Sequence, residues 1–385
     1  MNNFVTLYRF ELKKIFGRKI TLVVLLIMTA AMAAVNIAEY VAVKKASECN
    51  DEELVGRQLD DSLFDEMRLG IKPNIMTDSL GNEEIENVEY IDSAYRNLFH
   101  YLLNVSGNTT RAYNISEAQL NKTFNEIIDH AYDDFKLSDE EISYWEAKRA
   151  DIITPPVYDK SAGWSNGIVN LYMSNFFILI TIGAILSGVF ADEYSLRTDA
   201  IVFASANGKK RLSCVKMLAG CTVGLIVSAF MIFGYTILEF ILYGPLDPEA
   251  SIQLTYGPTV LDMPAKKACL ICMGILLIIG LFYSILTMFL SQLFQNATVP
   301  IAILAVLLIC SMLNPPNSYR LIAQIASYLP ATFPGSWTFT DYRLLNIFGL
   351  RLNILQVLPV LYTMLIMVFA VCTYGSYERT QIKGR

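Results

Sequence analysis

Charged residues are scarce in this sequence. They make up 17% of its 385 residues, whereas 54% are hydrophobic and the mean hydropathy is +0.41. A water-soluble protein of this size could not bury so much apolar surface, which excludes an ordinary soluble enzyme. The composition therefore predicts an integral membrane protein.

Cysteine is too sparse and too scattered to form a disulfide framework. Of the seven cysteines, only Cys49 lies away from the apolar stretches. Cys269 and Cys272 form a CxxC pair, but on an apolar helix without partner ligands that spacing is typical of packing. We interpret the cysteines as small apolar side chains.

Motifs for nucleotide or peptide chemistry are absent. The sequence contains no HExxH, no GxSxG and no Walker A motif; the segment 207–210 lacks the upstream glycine and the following Ser or Thr. The chain is therefore not expected to be an enzyme or to hydrolyse ATP by the Walker mechanism. We interpret Asp129, His130, Asp133 and Asp134 as an exposed acidic face rather than a metal site.

Ionisable residues are also absent from the middle of the apolar segments, which disfavours ion-coupled transport. Glu39 and Glu239 flank the predicted outer ends of their helices. Two interpretations remain open for them: interfacial anchoring, or a negatively lined outer vestibule for a cationic substrate.

Four apolar stretches without a charged residue are long enough to cross a bilayer, which needs about 20 residues. They are 20–38, 168–191, 217–238 and 352–377.

A fifth charge-free stretch, 268–319, is too long for one crossing. As a continuous helix it would span roughly 78 Å, more than twice the hydrocarbon core. Polar residues from Ser291 to Thr298, followed by Pro300, predict a break where these side chains meet water. The crossings 268–290 and 299–313 bring the predicted total to six.

The charges divide the chain into an acidic insert and a basic membrane body. Residues 44–165 hold 25 of the 36 acidic and 12 of the 30 basic residues, a balance of −13, which leaves +7 for the rest. Basic residues concentrate in 1–19, 191–216 and the C-terminal tail, so the positive-inside rule predicts cytoplasmic termini and an outer insert. We interpret the first stretch, within 20–43, as an anchor rather than a signal peptide.

The insert is predicted to be helical, which makes the whole chain all-α. Apolar residues recur at helical spacing from Val88 through Ile91, Tyr95 and Leu98 to Leu102, and again from Leu120 to Phe135. Ser138 and Glu141 have the spacing of a capping box. At about 120 residues, the insert is large enough to bury its own core.

Two segments of the basic body have amphipathic patterns. Residues 1–19 predict a basic surface helix, and the stretch 192–216 combines an apolar stripe with the bases Lys209, Lys210 and Arg211. An ordinary positive-inside turn that contacts anionic lipids is the alternative for 192–216.

These residues resemble the membrane permease subunits of type-2 ABC exporters. The resemblance rests on the segment 10–14 before the first crossing, the large outer insert, and the residues 158–164 before the second crossing. It continues in 190–194, Thr198, Ser205, Gly208, Arg211 and Lys216. Many family members have glycine before the threonine, where this chain has Arg197.

The resemblance implies a mechanism and a set of partners. The segment 193–205 would be a coupling helix that docks on a separate ABC ATPase, and 209–216 would hold its end at the membrane. Residues 314–351 would form half-penetrating outer helices, with an ordinary interfacial loop as the alternative. The coupling residues would be Asp192, Glu193, Arg197, Thr198, Ser205, Lys210, Arg211 and Lys216.

The predicted partners are two ATPase subunits, a second permease copy or paralogue, and lipids of the bacterial cytoplasmic membrane; no nucleic-acid partner is expected. ATP and Mg²⁺ would bind the ATPase, and this chain would bind no cofactor. The alternatives are a sensory or binding protein that acts through its acidic outer domain and, less favoured, an intramembrane enzyme. The substrate is not readable from the sequence.

Overall fold

The protein is mostly helical, and the part of the chain that the structure describes carries two small β-hairpins. Its structure, a computed structural model, describes residues 2–46, 51–77, 83–152, 156–159, 162–197, 208–244, 247–313, 315–335, 337–347 and 349–379. Within these residues the long apolar helices form a bundle, and the insert packs against one end of it.

The membrane body begins with α1 (Asn2–Phe16) and α2 (Lys19–Ala46), and resumes after the insert. Its other elements are α8 (Ala162–Leu186), α9 (Gly188–Ser195), α10 (Gly208–Tyr243), α11 (Gln253–Tyr256), α12 (Ala265–Phe294), α13 (Thr298–Ser311), α14 (Arg320–Ser327), the hairpin β3 (Leu345–Ile347) and β4 (Leu350–Leu352), and α15 (Ile354–Arg379).

Among the described residues, five helical spans are long and apolar enough to cross a membrane: Lys19–Ala42, Gly163–Ser195, Lys210–Tyr243, Ala265–Phe294 and Ile354–Arg379. The second of them contains both α8 and α9. The sixth predicted crossing corresponds to α13, whose 14 residues extend about 21 Å. That length is short of a hydrocarbon core of about 30 Å, so six crossings and the orientation of the termini stay predictions.

The break in the charge-free stretch is confirmed at Gln295. This residue ends α12 in the left-handed region, with φ of 51°, and α13 begins three residues later. Ser291 and Gln292, which were expected to meet water, are instead buried inside α12. Their polar groups are satisfied by α9, because Ser291 Oγ donates to the carbonyl of Ser187 at 2.5 Å and Gln292 bonds to the Tyr194 hydroxyl at 3.0 Å.

Helices α10 and α12 approach unusually closely because small residues face each other. A Cβ atom on Gly224 would lie 1.8 Å from Ser284 Oγ, and one on Gly280 would lie 2.2 Å from Ser228 Oγ. Such pairs of small residues let backbones pack together in membranes. The two helices therefore form the centre of the bundle.

The insert is not wholly helical, which corrects the sequence-based prediction. It contains a 3₁₀ turn (Glu52–Leu54), α3 (Asp61–Leu69), the antiparallel hairpin β1 (Ile71–Thr77) and β2 (Glu83–Ile91), α4 (Arg96–Ser106), α5 (Thr109–Tyr113), α6 (Glu117–Asp134) and α7 (Asp139–Arg149). Val88 and Ile91, expected on a helix, lie on β2.

Other features of the insert are confirmed. Leu120 and Phe124 are buried on one face of α6, and Ser138 with Glu141 forms the expected capping box of α7. The insert has its own core around Leu63, Phe64 and Leu102. Buried side chains of α6 and α7, among them Ile128, Tyr132 and Trp145, belong to the same apolar cluster as the helices of the bundle. The insert is therefore docked on the bundle.

Docking depends on α7 and the segment 315–352. Trp145 and Tyr342 are both buried, and Glu141 accepts two hydrogen bonds from Arg320, at 2.6 and 2.7 Å. Tyr342 therefore lies in the interface between the insert and the membrane body.

Candidate functional site

One end of the bundle, which we call the α1 end, holds a buried cluster of charges. Lys216 on α10 is completely buried, and its Nζ lies 2.9 Å from Glu193 Oε1 on α9 and 3.2 Å from Glu11 Oε2 on α1. It also donates to the carbonyl of Val189, at 3.3 Å. The Tyr377 hydroxyl of α15 lies 3.3 Å from Glu193 Oε2. We call Glu11, Glu193, Lys216 and Tyr377 the coupling cluster.

The local sequence explains why the cluster forms here. Glu11 is the single acid on a basic helix that lies beside α10, so it alone on that helix can neutralise a buried ammonium. Lys216 comes directly before the apolar run 217–238 and lies within the helix rather than before it. Three helices, α1, α9 and α10, thus meet at one ammonium group, and α15 joins them through the contact of Tyr377 with Glu193.

The balance of the cluster is one positive and two negative groups. A buried ion that loses its partner costs several kcal/mol, so each member depends on the others. Lys14, half-buried on α1, lies within electrostatic range of Glu11 and Glu193 and offsets the excess. Burial, followed by the nearby ammonium of Lys216, lowers the pKa of Lys14 below its ordinary value.

A second ion pair lies beside the cluster. Arg18, between α1 and α2, binds Asp192 Oδ2 at 2.7 Å. The pair needs Gly188, because a Cβ there would lie 2.7 Å from Asp192 Oδ1 and 2.9 Å from Arg18 Nη1. Asp192 is therefore held against the start of α2.

The predicted coupling residues divide into two groups. Glu193 and Lys216 are buried inside the bundle. Arg197, Lys210 and Arg211 are exposed, and Lys210 pairs with Glu378 at 3.0 Å. The predicted helix over 193–205 falls largely on 198–207, which includes Thr198 and Ser205 and lies outside the described residues.

The end of α9 presents an apolar and a basic residue together. The helix ends at Ser195, and Leu196, with 70% of its surface exposed, is its C-cap. Arg197 follows with φ of 56°, a left-handed conformation that favours glycine. The backbone thus turns sharply at the position where the resembling family often carries glycine.

The opposite end of the bundle brings Glu39 and Glu239 together with Asn170. Glu39 on α2 is exposed, whereas Glu239 on α10 is completely buried. With its amide oriented to donate, Asn170 on α8 places Nδ2 2.9 Å from Glu39 Oε2. Tyr235, one turn before Glu239, lies beside it.

Sequence reasoning missed Glu11, Tyr377, Asn170 and Tyr235. A lone acid among bases and a lysine within the first turns of an apolar helix were the available signals for the coupling cluster. The Asn170 and Tyr235 side chains carried no such signal, since polar neutral residues are common in membrane helices.

Comparisons with known proteins give no further assignment. No family model, no curated protein and no solved structure matches this chain. The geometry of the two ends of the bundle is therefore the basis for any functional conclusion.

Proposed function

We propose that this chain is the transmembrane permease subunit of an ABC exporter in a bacterial cytoplasmic membrane. A separate ATPase subunit, which binds ATP and Mg²⁺, would supply the energy. Two ATPase subunits and a second permease copy or paralogue would complete the transporter. The chain's own part is to convert movement of the ATPase into movement of its helices.

The observation that carries the proposal is the contact between Glu193 and Lys216. These residues lie on either side of the segment 198–207, and their side chains are 2.9 Å apart and buried. The contact therefore ties the end of α9 to the start of α10. A movement of either helix is passed to the other.

The exposed residues at this end fit a docking role. Leu196 and Arg197 stand at the end of α9, and Arg211 is exposed near the start of α10. An apolar side chain flanked by cationic ones suits a groove with an apolar floor and an acidic rim. Glu193 is buried and holds α9 to α10 through Lys216, so it does not contact the ATPase.

The first test is genomic and biochemical. A reading frame for an ABC ATPase is expected beside the one that encodes this chain. When the two proteins are co-expressed, the ATPase is expected to co-purify with the tagged permease. Arg197→Glu combined with Arg211→Glu should reduce the recovered ATPase at least tenfold, because both changes reverse charge on the proposed docking surface.

The matched control is Lys266→Glu combined with Lys267→Glu. These two exposed lysines lie at the start of α12, the opposite end of the bundle, and the change in total charge is the same. ATPase recovery should stay at the wild-type level. Full recovery with the Arg197 and Arg211 variant, or nucleotide hydrolysis by the purified chain alone, would contradict the proposal.

A further inference from the structure

The acidic cluster of Glu39 and Glu239 lies at the end of the bundle opposite α1. Its third member, Asn170, contacts Glu39 and lies beside Glu239, so α2, α8 and α10 each contribute one side chain. We call these three residues the carboxylate site. Glu39 is exposed and gives access to it, whereas Glu239 forms its buried floor.

Glu239 is buried without a cationic partner. It has no exposed surface, and its polar neighbours, the Tyr235 hydroxyl and the Asn170 amide, are neutral hydrogen-bonding groups. Among the described residues, no lysine or arginine forms an ion pair with Glu39 or Glu239. Buried charges are normally paired, so a cation is missing from this arrangement.

Aromatic residues lie next to the two carboxylates along their helices. Tyr40 follows Glu39, and its ring meets that of Tyr243 edge to face with centroids 5.1 Å apart. Tyr243 lies within electrostatic range of both carboxylates. Phe240 follows Glu239 along α10, and its ring packs against Trp164 with centroids 4.7 Å apart. Aromatic faces attract organic cations, which also tolerate the apolar surroundings.

We propose that the carboxylate site binds an organic ammonium group. Glu239 and Glu39 supply the opposing charge, and the Tyr243 ring, which lies within electrostatic range of both carboxylates, contacts the alkyl part. The further statement that this ligand is the transported substrate, a cationic amine, rests on the proposed function. The binding of an ammonium group at the carboxylate site does not rest on it.

Two other ways to neutralise Glu239 have different signatures. A proton would make Glu239 a neutral acid, and binding of any amine would then be independent of it. A divalent metal ion needs more carboxylate or other oxygen ligands in a regular arrangement. The described residues contain no group of three potential Asp, Glu, His or Cys ligands that could hold a metal. The aromatic surroundings favour an ammonium over either.

Fluorescence titration of the purified chain in detergent tests the proposal. The probe is propylammonium chloride, and Trp164 reports binding because its ring packs on Phe240. Subtraction of the signal of a Trp164→Phe variant isolates that reporter. A saturable change is expected with propylammonium. Sodium chloride at the same ionic strength and 1-propanol, which has no charge, should give none.

The variants identify the residues that bind. Glu239→Gln should weaken propylammonium binding at least tenfold, and Glu39→Gln, an exposed change that folding tolerates, should weaken it several-fold. Glu239→Asp keeps the charge and should retain binding. The matched control is Glu249→Gln, an exposed carboxylate on the loop after α10, which should bind as wild type does.

Three results would overturn the proposal: unchanged affinity in Glu239→Gln or in Glu39→Gln, an equal response to sodium, or an equal response to 1-propanol. The titration uses this chain alone, so it can fail while the ATPase still co-purifies. Conversely, ammonium binding can succeed when no ATPase associates. The two proposals therefore stand or fall separately.

Discussion

The indole Nε1 of Trp145 donates a hydrogen bond to the main-chain carbonyl of Tyr342, 2.6 Å away, across 197 residues of sequence. Their rings also pack edge to face, with centroids 5.3 Å apart. Trp145 belongs to the insert and Tyr342 to the segment before α15. This contact fixes how the insert sits on the membrane body.

Trp145→Phe tests the strength of that contact. The change keeps an aromatic ring but leaves the Tyr342 carbonyl without its donor, which should reduce the free energy of unfolding by about 1–3 kcal/mol. Thermal unfolding in detergent, followed by circular dichroism, measures the loss. Tyr90→Phe, on the exposed side of β2, is the control and should leave the midpoint unchanged.

Glu141 makes docking of the insert sensitive to acid. Burial raises the pKa of Glu141, but hydrogen bonds from Arg320, Ser138 and Leu344 outweigh it, so the pKa lies below its ordinary value of 4.5. A carboxyl with a lowered pKa in the folded state stabilises that state above the unfolded pKa, and the contribution is lost as pH falls through the folded pKa.

As the pH is lowered from about 5 to about 3, the thermal midpoint should fall further in the wild type than in Glu141→Gln. Glu140→Gln, which alters the exposed pair with Arg351, should keep the wild-type pH dependence. Identical pH profiles for wild type and Glu141→Gln would show that the hydrogen bonds of Arg320 and Leu344 to residue 141 do not depend on a negative charge there.

Gly224→Ala tests the close approach of α10 and α12. The added methyl group would overlap Ser284, and relief of such overpacking typically costs about 1–3 kcal/mol of unfolding free energy. Gly234→Ala is the matched control on the same helix, because a Cβ there meets no atom within 4 Å. Thermal unfolding should separate the two variants, and equal midpoints would argue against the close packing.

Lys216→Met should be among the most damaging single changes in the coupling cluster. It leaves Glu11 and Glu193 buried without their ammonium partner, at an expected cost of about 3–5 kcal/mol. Lys210→Met, on the exposed pair with Glu378, should change stability little. Glu193→Gln added to Lys216→Met should restore part of the loss. Similar midpoints for the two lysine variants would contradict this assignment.

The long apolar helices were predictable because each depends on its own residues. Length and absence of charge located five spans, and local polar residues located the break at Gln295. The capping box at Ser138 is likewise a property of four consecutive residues. None of these features requires knowledge of distant contacts.

Features that depend on partners distant in sequence were not predictable. Val88 and Ile91 have a spacing that fits a helix, yet they pair with β1 across the hairpin, and pairing overrides local preference. The buried position of Lys216 could not be predicted because its partners, Glu11 and Glu193, are brought to it only by folding. The pairing of Glu39 with Asn170 has the same origin.

The glycine and serine contacts between α10 and α12 have one further consequence. Because so little side-chain material separates their backbones, the two helices cannot slide past each other and behave as one rigid unit. Helices α2 and α15 differ from this pair, because their apolar windows are only 17% and 22% buried within the chain.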